Sequence, residues 1–422
     1  MKNQAIAVIG LGYVGLPLAL EFGKKFKVIG FDTNQSRIKE LKNAIDKSLE
    51  TTPKDFKKST FLSFTNKLYE IRNCKIFIIT VPTPIDKQKN PDLTFLKKSC
   101  DIIGSILKKN DIVIFESTVY PGVTEEICAP ILQKKSGLIF NIDFFCGYSP
   151  ERINPGDKEH RLPMIKKITS GSNPRIAIKI NNLYKKIIKA GTYMAPNIKV
   201  AEAAKVIENI QRDVNIALIN ELSMIFKKLN IDTKSVLDAA KTKWNFLPFK
   251  PGLVGGHCIG IDPYYLSYKA LKVGHKPEMI ISGRKINENM SFYVASEVKK
   301  FMKKKKIKII NAKALIMGLT FKENCPDIRN SKIFDLISEL KKSKMDIDVY
   351  DPWVEKEEVI NKFDICLTDK PKKGKYDLII MAVAHDKFKK FSFNRIRNFG
   401  KKKNVIYDIK QVLNINKIDG SL

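Results

Sequence analysis

Three glycines spaced G-x-G-x-x-G, at Gly10, Gly12 and Gly15, constrain this chain more than any other feature in it. The β-branched run Ala5–Ile9 leads into them, and Val14–Phe22 follows with apolar residues at helical spacing. Strand, tight turn and helix are the elements that context predicts. The first glycine permits the turn and the second lets a pyrophosphate approach the backbone. The third lets helix and strand pack closely, which leaves the helix N-terminus aimed at the phosphates. A second strand, Lys27–Phe31, ends at Asp32, close to the ~20-residue distance at which an acidic residue takes a ribose 2′-hydroxyl. A dinucleotide site is therefore expected. The Asp32 carboxylate would repel a 2′-phosphate, so NAD is favoured over NADP. Tyr13 and Val14 in the turn, and Arg37 just past Asp32, are further candidate cofactor contacts.

A competing reading treats Lys2 and the apolar run Ala5–Leu20 as the charged and hydrophobic parts of a secretory signal. The fixed glycine spacing and the strand that follows favour the dinucleotide motif. No other apolar run approaches the ~20 residues needed to span a bilayer. Seven cysteines stand singly, without C-x-x-C or zinc spacing. That pattern suits reduced thiols in a cytoplasm, with neither a disulfide scaffold nor a metal site.

The alternation of strand and helix continues through Ile76–Val81 and Ile112–Phe115, which implies parallel strands joined by helical crossovers. Val200–Leu229 then reads as one long helix, with no internal Gly or Pro. Ile286–Lys300 closes this helical stretch, and the basic run Lys303–Lys306 looks like a boundary. Afterwards the opening pattern returns. Ala314–Met317, Ile347–Tyr350, Leu378–Val383 and Val405–Tyr407 read as strands, and Ile333–Leu340 as a helix. The expected fold is α/β: two Rossmann-like doubly wound sheets joined by a central helical region with one long helix. The expected domains are 1–196 for dinucleotide binding, 197–302 for a central helical region, and 303–422 for a second nucleotide.

A formal charge of +32 is the strongest bulk anomaly. A polyanion partner would explain it, but the excess is spread along the chain and no nucleic-acid-binding signature accompanies it. A general drift toward lysine is the better account, and the sequence gives no reason to expect a nucleic-acid or membrane partner. Part of the charge still serves to attract an anionic substrate.

The segment FKPGLVGGHCIGIDPYY, Phe249–Tyr265, carries the most chemistry. Gly252, Gly255 and Gly256 surround a lone Cys258, and Asp262 lies four positions on. Small neighbours leave a thiol accessible, and a polar, exposed setting is what a thiolate requires. Lys205, Asn209 and Arg212 on the long helix share a face by i, i+4, i+7 spacing, and Ile216 and Ile219 continue it toward buried territory. A lysine entering a cleft there can hold a developing oxyanion or a catalytic water. Tyr265 with Lys269, and Tyr268 with Lys272, both fit Tyr-x-x-x-Lys. In a lysine-rich chain that overlap carries little, and these tyrosines read as packing or substrate-wall residues.

GLGYVGLP at Gly10–Pro17, VPTP at Val81–Pro84, ESTVYPG at Glu116–Gly122 and YSPERINPGD at Tyr148–Asp157 resemble UDP-sugar 6-dehydrogenases. GGHCIGIDPYYL at Gly255–Leu266 and GLTFKENCPDIRNS at Gly318–Ser331 extend the likeness over nearly the whole chain. PDLTFL at Pro91–Leu96 and ERINPGDKEHRLP at Glu151–Pro163 place it nearest the UDP-N-acetylglucosamine and UDP-N-acetylgalactosamine enzymes of surface-polysaccharide synthesis. The resemblance implies an NAD domain, a helical dimer interface and a C-terminal UDP domain. It implies that Cys258 is the nucleophile, that Lys205, Asn209 and Asp262 manage water and charge, and that Glu151 aids hydrolysis. Thr83, Thr118 and Arg329 match cofactor-side positions, Thr118 also standing near the chemistry. Lys322 matches a substrate-side lysine, and Arg152, Phe249, Gly252, Gly255 and His257 join Glu151, Lys205 and Asn209 as expected substrate contacts. One departure stands out. The UDP-glucose enzymes have Cys-Phe-Pro-Lys-Asp where this chain has Cys258-Ile259-Gly260-Ile261-Asp262, and His257 replaces a serine.

The expected reaction is a four-electron oxidation of a sugar C6. An alkoxide held by Lys205 and Asn209 gives an aldehyde, and Cys258 adds to it as a thiohemiacetal. A second oxidation yields a thioester that water activated by Glu151 hydrolyses. The rivals are a two-electron hydroxyacid-type dehydrogenase that does not need Cys258, and a non-enzymatic polyanion-binding protein.

Overall fold

The computed structural model describes residues 4–152, 160–256, 258–363, 365 and 367–422. Two compact units divide the chain. The first comprises Met1–Glu208 and Tyr264–Lys276, the second Asn209–Pro263 and Pro277–Leu422.

In the first unit eight short strands form one sheet: β1 (Ile6–Ile9), β2 (Val28–Phe31), β3 (Leu62–Thr65), β4 (Ile76–Ile79), β5 (Ile112–Phe115), β6 (Phe145–Tyr148), β7 (Lys167–Gly171) and β8 (Thr192–Met194). Their order is β3-β2-β1-β4-β5-β6-β7-β8. Neighbours run parallel except at β6/β7, among the described residues. Ile-Ala-Val-Ile, Ile-Phe-Ile-Ile and Ile-Val-Ile-Phe in β1, β4 and β5 are buried throughout. Such all-apolar runs are what a strand covered on both faces requires. The strand order reverses between β1 and β4, the switch point at whose crevice nucleotides bind in this architecture. Helix α1 (Gly15–Gly23) follows β1 directly and buries Leu16, Leu18, Leu20 and Phe22.

In the second unit five parallel strands, β9 (Lys313–Met317), β10 (Asp346–Tyr350), β11 (Tyr376–Met381), β12 (Gly400–Asp408) and β13 (Gly420–Ser421), are ordered β10-β9-β11-β12-β13. One face packs Leu336, Ile337 and Leu340 against Ile316 and Ile380, and the other packs Phe388 and Ile396 against Ile379 and Ile406. Both sheets are thus doubly wound, and both match the expected class.

Among the described residues four helices lie between them in sequence, one of them the short Thr233–Ala240. α2 (Ile198–Lys228) is 31 residues long, α3 spans Asp262–Lys272 and α4 spans Glu278–Lys304. α2 lies close to the expected Val200–Leu229. The boundary expected at Lys303–Lys306 falls on the end of α4. Among the described residues no helix is long and apolar enough to cross a membrane.

Candidate active site

Every site residue of the first unit that lies off the long helix follows the carboxyl end of a sheet strand or stands just beyond it. The turn after β1 shows why its glycines are needed. A Cβ on Gly15 would lie 1.8 Å from the Gly10 carbonyl oxygen and 2.4 Å from Thr80 Oγ1, so nothing larger fits between helix and strand. Gly10 has φ +88°, a region L side chains avoid. Gly12, by contrast, is exposed, and a Cβ there would meet nothing within 4 Å. Space therefore lies open beside a backbone nitrogen, at the start of a helix, as a pyrophosphate cradle requires.

Asp32 and Arg37 hold this turn from both sides. The Leu11 N–H donates to Asp32 Oδ2 at 2.9 Å, and Arg37 Nε donates to the Leu11 carbonyl at 3.0 Å. Arg37 is in turn paired with buried Asp46 at 2.9 Å. Burial pushes the Asp46 carboxyl up, but hydrogen bonds from Ser48, Arg37 and Thr51 outweigh it and hold the pKa below the usual range. Arg37, expected as a cofactor contact, is built into the loop itself. Tyr13 and Val14 are half-buried in the turn.

The loops after β4 and β5 are pinned as well. Tyr265 is fully buried, and its hydroxyl lies 2.9 Å from the Thr83 carbonyl oxygen and 3.1 Å from that of Pro84. The wall tyrosine of the sequence reading thus fixes the loop that carries Thr83. The Ser117 hydroxyl donates to the Val81 carbonyl at 2.6 Å, next to half-buried Thr118. Beyond it the buried Glu202 carboxylate accepts N–H groups from Gly122 at 2.6 Å and Thr124 at 2.9 Å. Burial raises its pKa to about 7 despite these bonds.

After β6 comes Glu151, whose Oε1 is 3.2 Å from Lys205 Nζ; the two residues are 8% and 2% exposed. Arg152 pairs with Glu208, and the stretch 153–159 lies outside the described residues.

In the second unit Cys258 is half-exposed, while Cys74, Cys100, Cys128, Cys146 and Cys325 are buried. Desolvation pushes the Cys74 thiol up to about 11, and Cys128 and Cys146 well above the ordinary thiol value. The Cys258 carbonyl accepts the N–H groups of Ile261 at 3.0 Å and Asp262 at 2.9 Å, which closes a turn into α3. Asp262 is 1% exposed and accepts from Asn209 Nδ2 at 2.5 Å. The glycines before the cysteine are tight. A Cβ on Gly255 would sit 2.7 Å from the Asn330 carbonyl oxygen, and one on Gly256 would sit 2.8 Å from the Phe321 ring. His257 lies outside the described residues.

Phe321 and Asn330 belong to the loop after β9 that also carries Lys322 and Arg329. Buried His385 holds it, accepting the Asn324 N–H on Nδ1 at 2.9 Å, with Nε2 3.1 Å from Asp351 Oδ2. Arg329 is exposed and clasps Asp327, its Nε 2.9 Å from Oδ1. Phe249 is half-buried and Gly252 buried. Gly252 faces the Lys410 ammonium, which lies 3.9 Å from where a Cβ would be. Burial lowers the Lys410 pKa, with Glu323 and Asp408 opposing.

Three features escaped the sequence reading. Lys410 sits among many exposed lysines and carries no motif. His385 and Glu202 act through backbone groups that no spacing reveals. One expectation is corrected: Arg212 is exposed, and Asp213 takes the buried place. Seven residues fall about 20° short of two full helical turns. That lag sets Arg212 at the rim of the stripe formed by Glu202, Lys205, Asn209, Asp213 and Asn220.

A dinucleotide cradle on a largely parallel sheet, and a thiol in a glycine loop that alone is accessible among the described cysteines, define an NAD-linked oxidoreductase that uses a cysteine. Comparison with known proteins agrees. Residues 4–188 match the NAD-binding domain of the UDP-glucose/GDP-mannose dehydrogenase family, 199–289 its central domain and 315–415 its UDP-binding domain. UDP-N-acetyl-D-glucosamine 6-dehydrogenase of Pseudomonas aeruginosa is 58% identical over 419 residues, covering 99% of each chain. The enzyme of that name from Salmonella typhi is 57% identical, covering 98% of this chain and 97% of that one. Among solved structures, a UDP-D-ManNAc dehydrogenase from Pyrococcus horikoshii superposes with a TM-score of 0.89 at 28% identity, covering 99% and 98%. The chain belongs to the UDP-glucose/GDP-mannose dehydrogenase family and is an NAD-dependent dehydrogenase.

Proposed function

We propose that the protein oxidises C6 of UDP-N-acetylglucosamine, with UDP-N-acetylgalactosamine as the next candidate, to the uronic acid for surface-polysaccharide synthesis in the cytoplasm. The observation that carries this reading is Cys258: one half-exposed thiol in a glycine loop, followed by a buried Asp262 that is bonded to Asn209. An alcohol dehydrogenase that stops at the aldehyde has no use for it. The full-length relatives named for UDP-N-acetylglucosamine support the sugar.

NAD supplies the hydride acceptor for both oxidations, and the open Gly12 cradle, Asp32, Tyr13, Val14, Thr83 and Thr118 would hold it. The protein's own part is as follows. Asp262 and a water draw the proton off the C6 hydroxyl while Lys205 and Asn209, on successive turns of α2, stabilise the alkoxide, whose carbon gives up hydride to become the aldehyde. Cys258 Sγ bonds to the aldehyde carbon, and its proton leaves to solvent through the same groups. The tetrahedral carbon loses hydride and becomes a thioester. Water activated by Glu151 then breaks the C–S bond, releasing the acid and restoring the thiol. Lys322 and the desolvated Lys410 face the diphosphate. Arg152, Phe249, Gly252, Gly255 and His257 line the sugar nucleotide, and Arg329 reaches the cofactor.

By this reading the segments 1–196, 197–302 and 303–422 serve as cofactor, dimer and UDP regions. The dimer is supported by an exposed apolar stripe on α2 and just past its end: Leu218 at 51%, Ile225 at 44% and Leu229 at 59% exposure.

The test is NADH released per sugar consumed, with UDP-N-acetylglucosamine, UDP-N-acetylgalactosamine and UDP-glucose in parallel. Two NADH on an N-acetyl sugar are expected. One NADH on every substrate would overturn the thioester cycle and favour the two-electron rival.

A further inference from the structure

Asn220 on α2 does for Gly252 what a neighbouring strand would. The Gly252 N–H donates to Asn220 Oδ1 at 2.8 Å, and Asn220 Nδ2 donates to the Gly252 carbonyl at 3.0 Å. A side-chain amide makes that double contact in only one of its two orientations. The residues behind it decide which. Asn220 Nδ2 also donates to Asn287 Oδ1 at 2.8 Å, and Asn287 Nδ2 donates to Asp213, reaching both Oδ1 and the backbone carbonyl at 2.8 Å. An ionised carboxylate only accepts. Asp213 therefore orients Asn287, Asn287 orients Asn220, and Asn220 shows Gly252 the complementary edge. Arg284 Nη1 holds Asp213 Oδ1 at 2.6 Å and Nη2 holds Glu288 at 2.5 Å, so the guanidinium spans two carboxylates. Asp213, Asn220 and Asn287 are fully buried and Arg284 is 3% exposed. No water competes for these bonds, which makes a wrong orientation costly. Arg284 also stands beside the cysteine turn itself: its Nη1 is 4.0 Å from where a Gly260 Cβ would lie.

We propose that Asp213, Asn287 and Asn220 form a polarity relay, anchored by Arg284, that positions the Gly252–Cys258 loop and so sets the reactivity of the thiol. These are positioning residues, and the inference rests on the reading of Cys258 as nucleophile. A relay of this kind differs from ordinary packing in one respect. It fails when a single acceptor becomes able to donate, with no change in side-chain volume.

Asp213→Asn makes that change in the full-length enzyme. Two readouts are taken: the pH profile of Cys258 alkylation by iodoacetamide, scored by peptide mass, and the partition between acid and hydroxylamine-trapped aldehyde. The alkylation profile should shift, and acid formation should fall about 100-fold, the size expected for a ~1 Å misplacement. Oxidation to the aldehyde should fall much less. Arg284→Lys keeps the charge but not the fork and should show the same pattern in weaker form. It decides the matter if Asp213→Asn does not fold. A wild-type alkylation profile and two NADH per sugar in the folded variants would overturn the relay. Cys258→Ser, run alongside, separates the two ideas. If it still makes acid, the nucleophile reading fails and takes the relay with it. If it makes none while Asp213→Asn behaves as wild type, only the relay falls.

Discussion

At the scale of single residues, the proposed chemistry draws on the accessible Cys258 thiol and the dry Asn209–Asp262 pair of the second unit, and on the dry Lys205–Glu151 pair of the first. Cys258→Ser should abolish acid formation while leaving the first oxidation measurable as one NADH per sugar in a stopped assay. Turnover to acid by that variant would remove the thioester. Glu151→Gln separates bond formation from hydrolysis: an acyl-enzyme should accumulate, visible as an added uronyl-nucleotide mass on the peptide containing Cys258. Lys205→Met leaves a buried carboxylate without its partner, a loss of about 3–5 kcal/mol in denaturant unfolding. Cys258, Asp32 and Lys205 were legible in the sequence because each sits where a spacing or a glycine cluster makes a chemical demand. Lys410 was not, since nothing in its local sequence separates it from the many other lysines. Arg212 misled because a seven-residue spacing only approximates a common helical face.

At the scale of elements, the long helix α2 holds the loop after β5 through Glu202. A carboxyl whose folded pKa is about 7, against an ordinary 4.5, favours the native state most when protonated. That contribution is fully present below pH 4.5 and is lost as pH rises through 7, a change of roughly 3 kcal/mol. Stability measured by urea unfolding should therefore decline across that window, and Glu202→Gln should flatten the slope. An unchanged slope would assign the pH dependence to other groups. The β1 turn is less forgiving. Gly15→Ala drives a Cβ into the Gly10 carbonyl and should remove NAD binding in a fluorescence titration. The sequence revealed β1, β4 and β5 through unbroken apolar runs, which fully covered strands require. It did not reveal β6 or β8. Phe145–Tyr148 contains a glycine and a cysteine, and Thr192–Met194 is three residues at the sheet edge, exposed at Tyr193 and Met194. Tertiary pairing, not local preference, makes those segments strands.

At the scale of the molecule, the two doubly wound sheets were legible because the pattern of strand, helix and strand ending in Asp occurs twice, at Asp32 and at Asp351. The internal hold on the second nucleotide loop was not, because His385, Asp351 and Asn324 meet only in three dimensions. If the exposed stripe of Leu218, Ile225 and Leu229 is the seam of the proposed dimer, Leu218→Glu with Ile225→Glu yields monomers in sedimentation velocity where the unaltered protein sediments as a dimer; an unchanged sedimentation coefficient would overturn that seam. The net charge of +32 predicts that kcat/KM for a sugar nucleotide falls as salt shortens the screening length from about 30 Å at 0.01 M to about 8 Å at 0.15 M, with kcat unchanged.

The jammed contact of Gly255 and Gly256 against Asn330 and Phe321 bears on how such an enzyme acquires a new sugar. A backbone carbonyl beside Gly255 and an aromatic ring beside Gly256 leave no room for a side chain, so substitutions at 255 and 256 are closed to a laboratory lineage as they are to a natural one. Variation that changes the substrate has to enter from the flanks, at Phe249 or Lys322. A mutant library confined to those positions should recover more active clones than one of equal size spread over the cysteine loop.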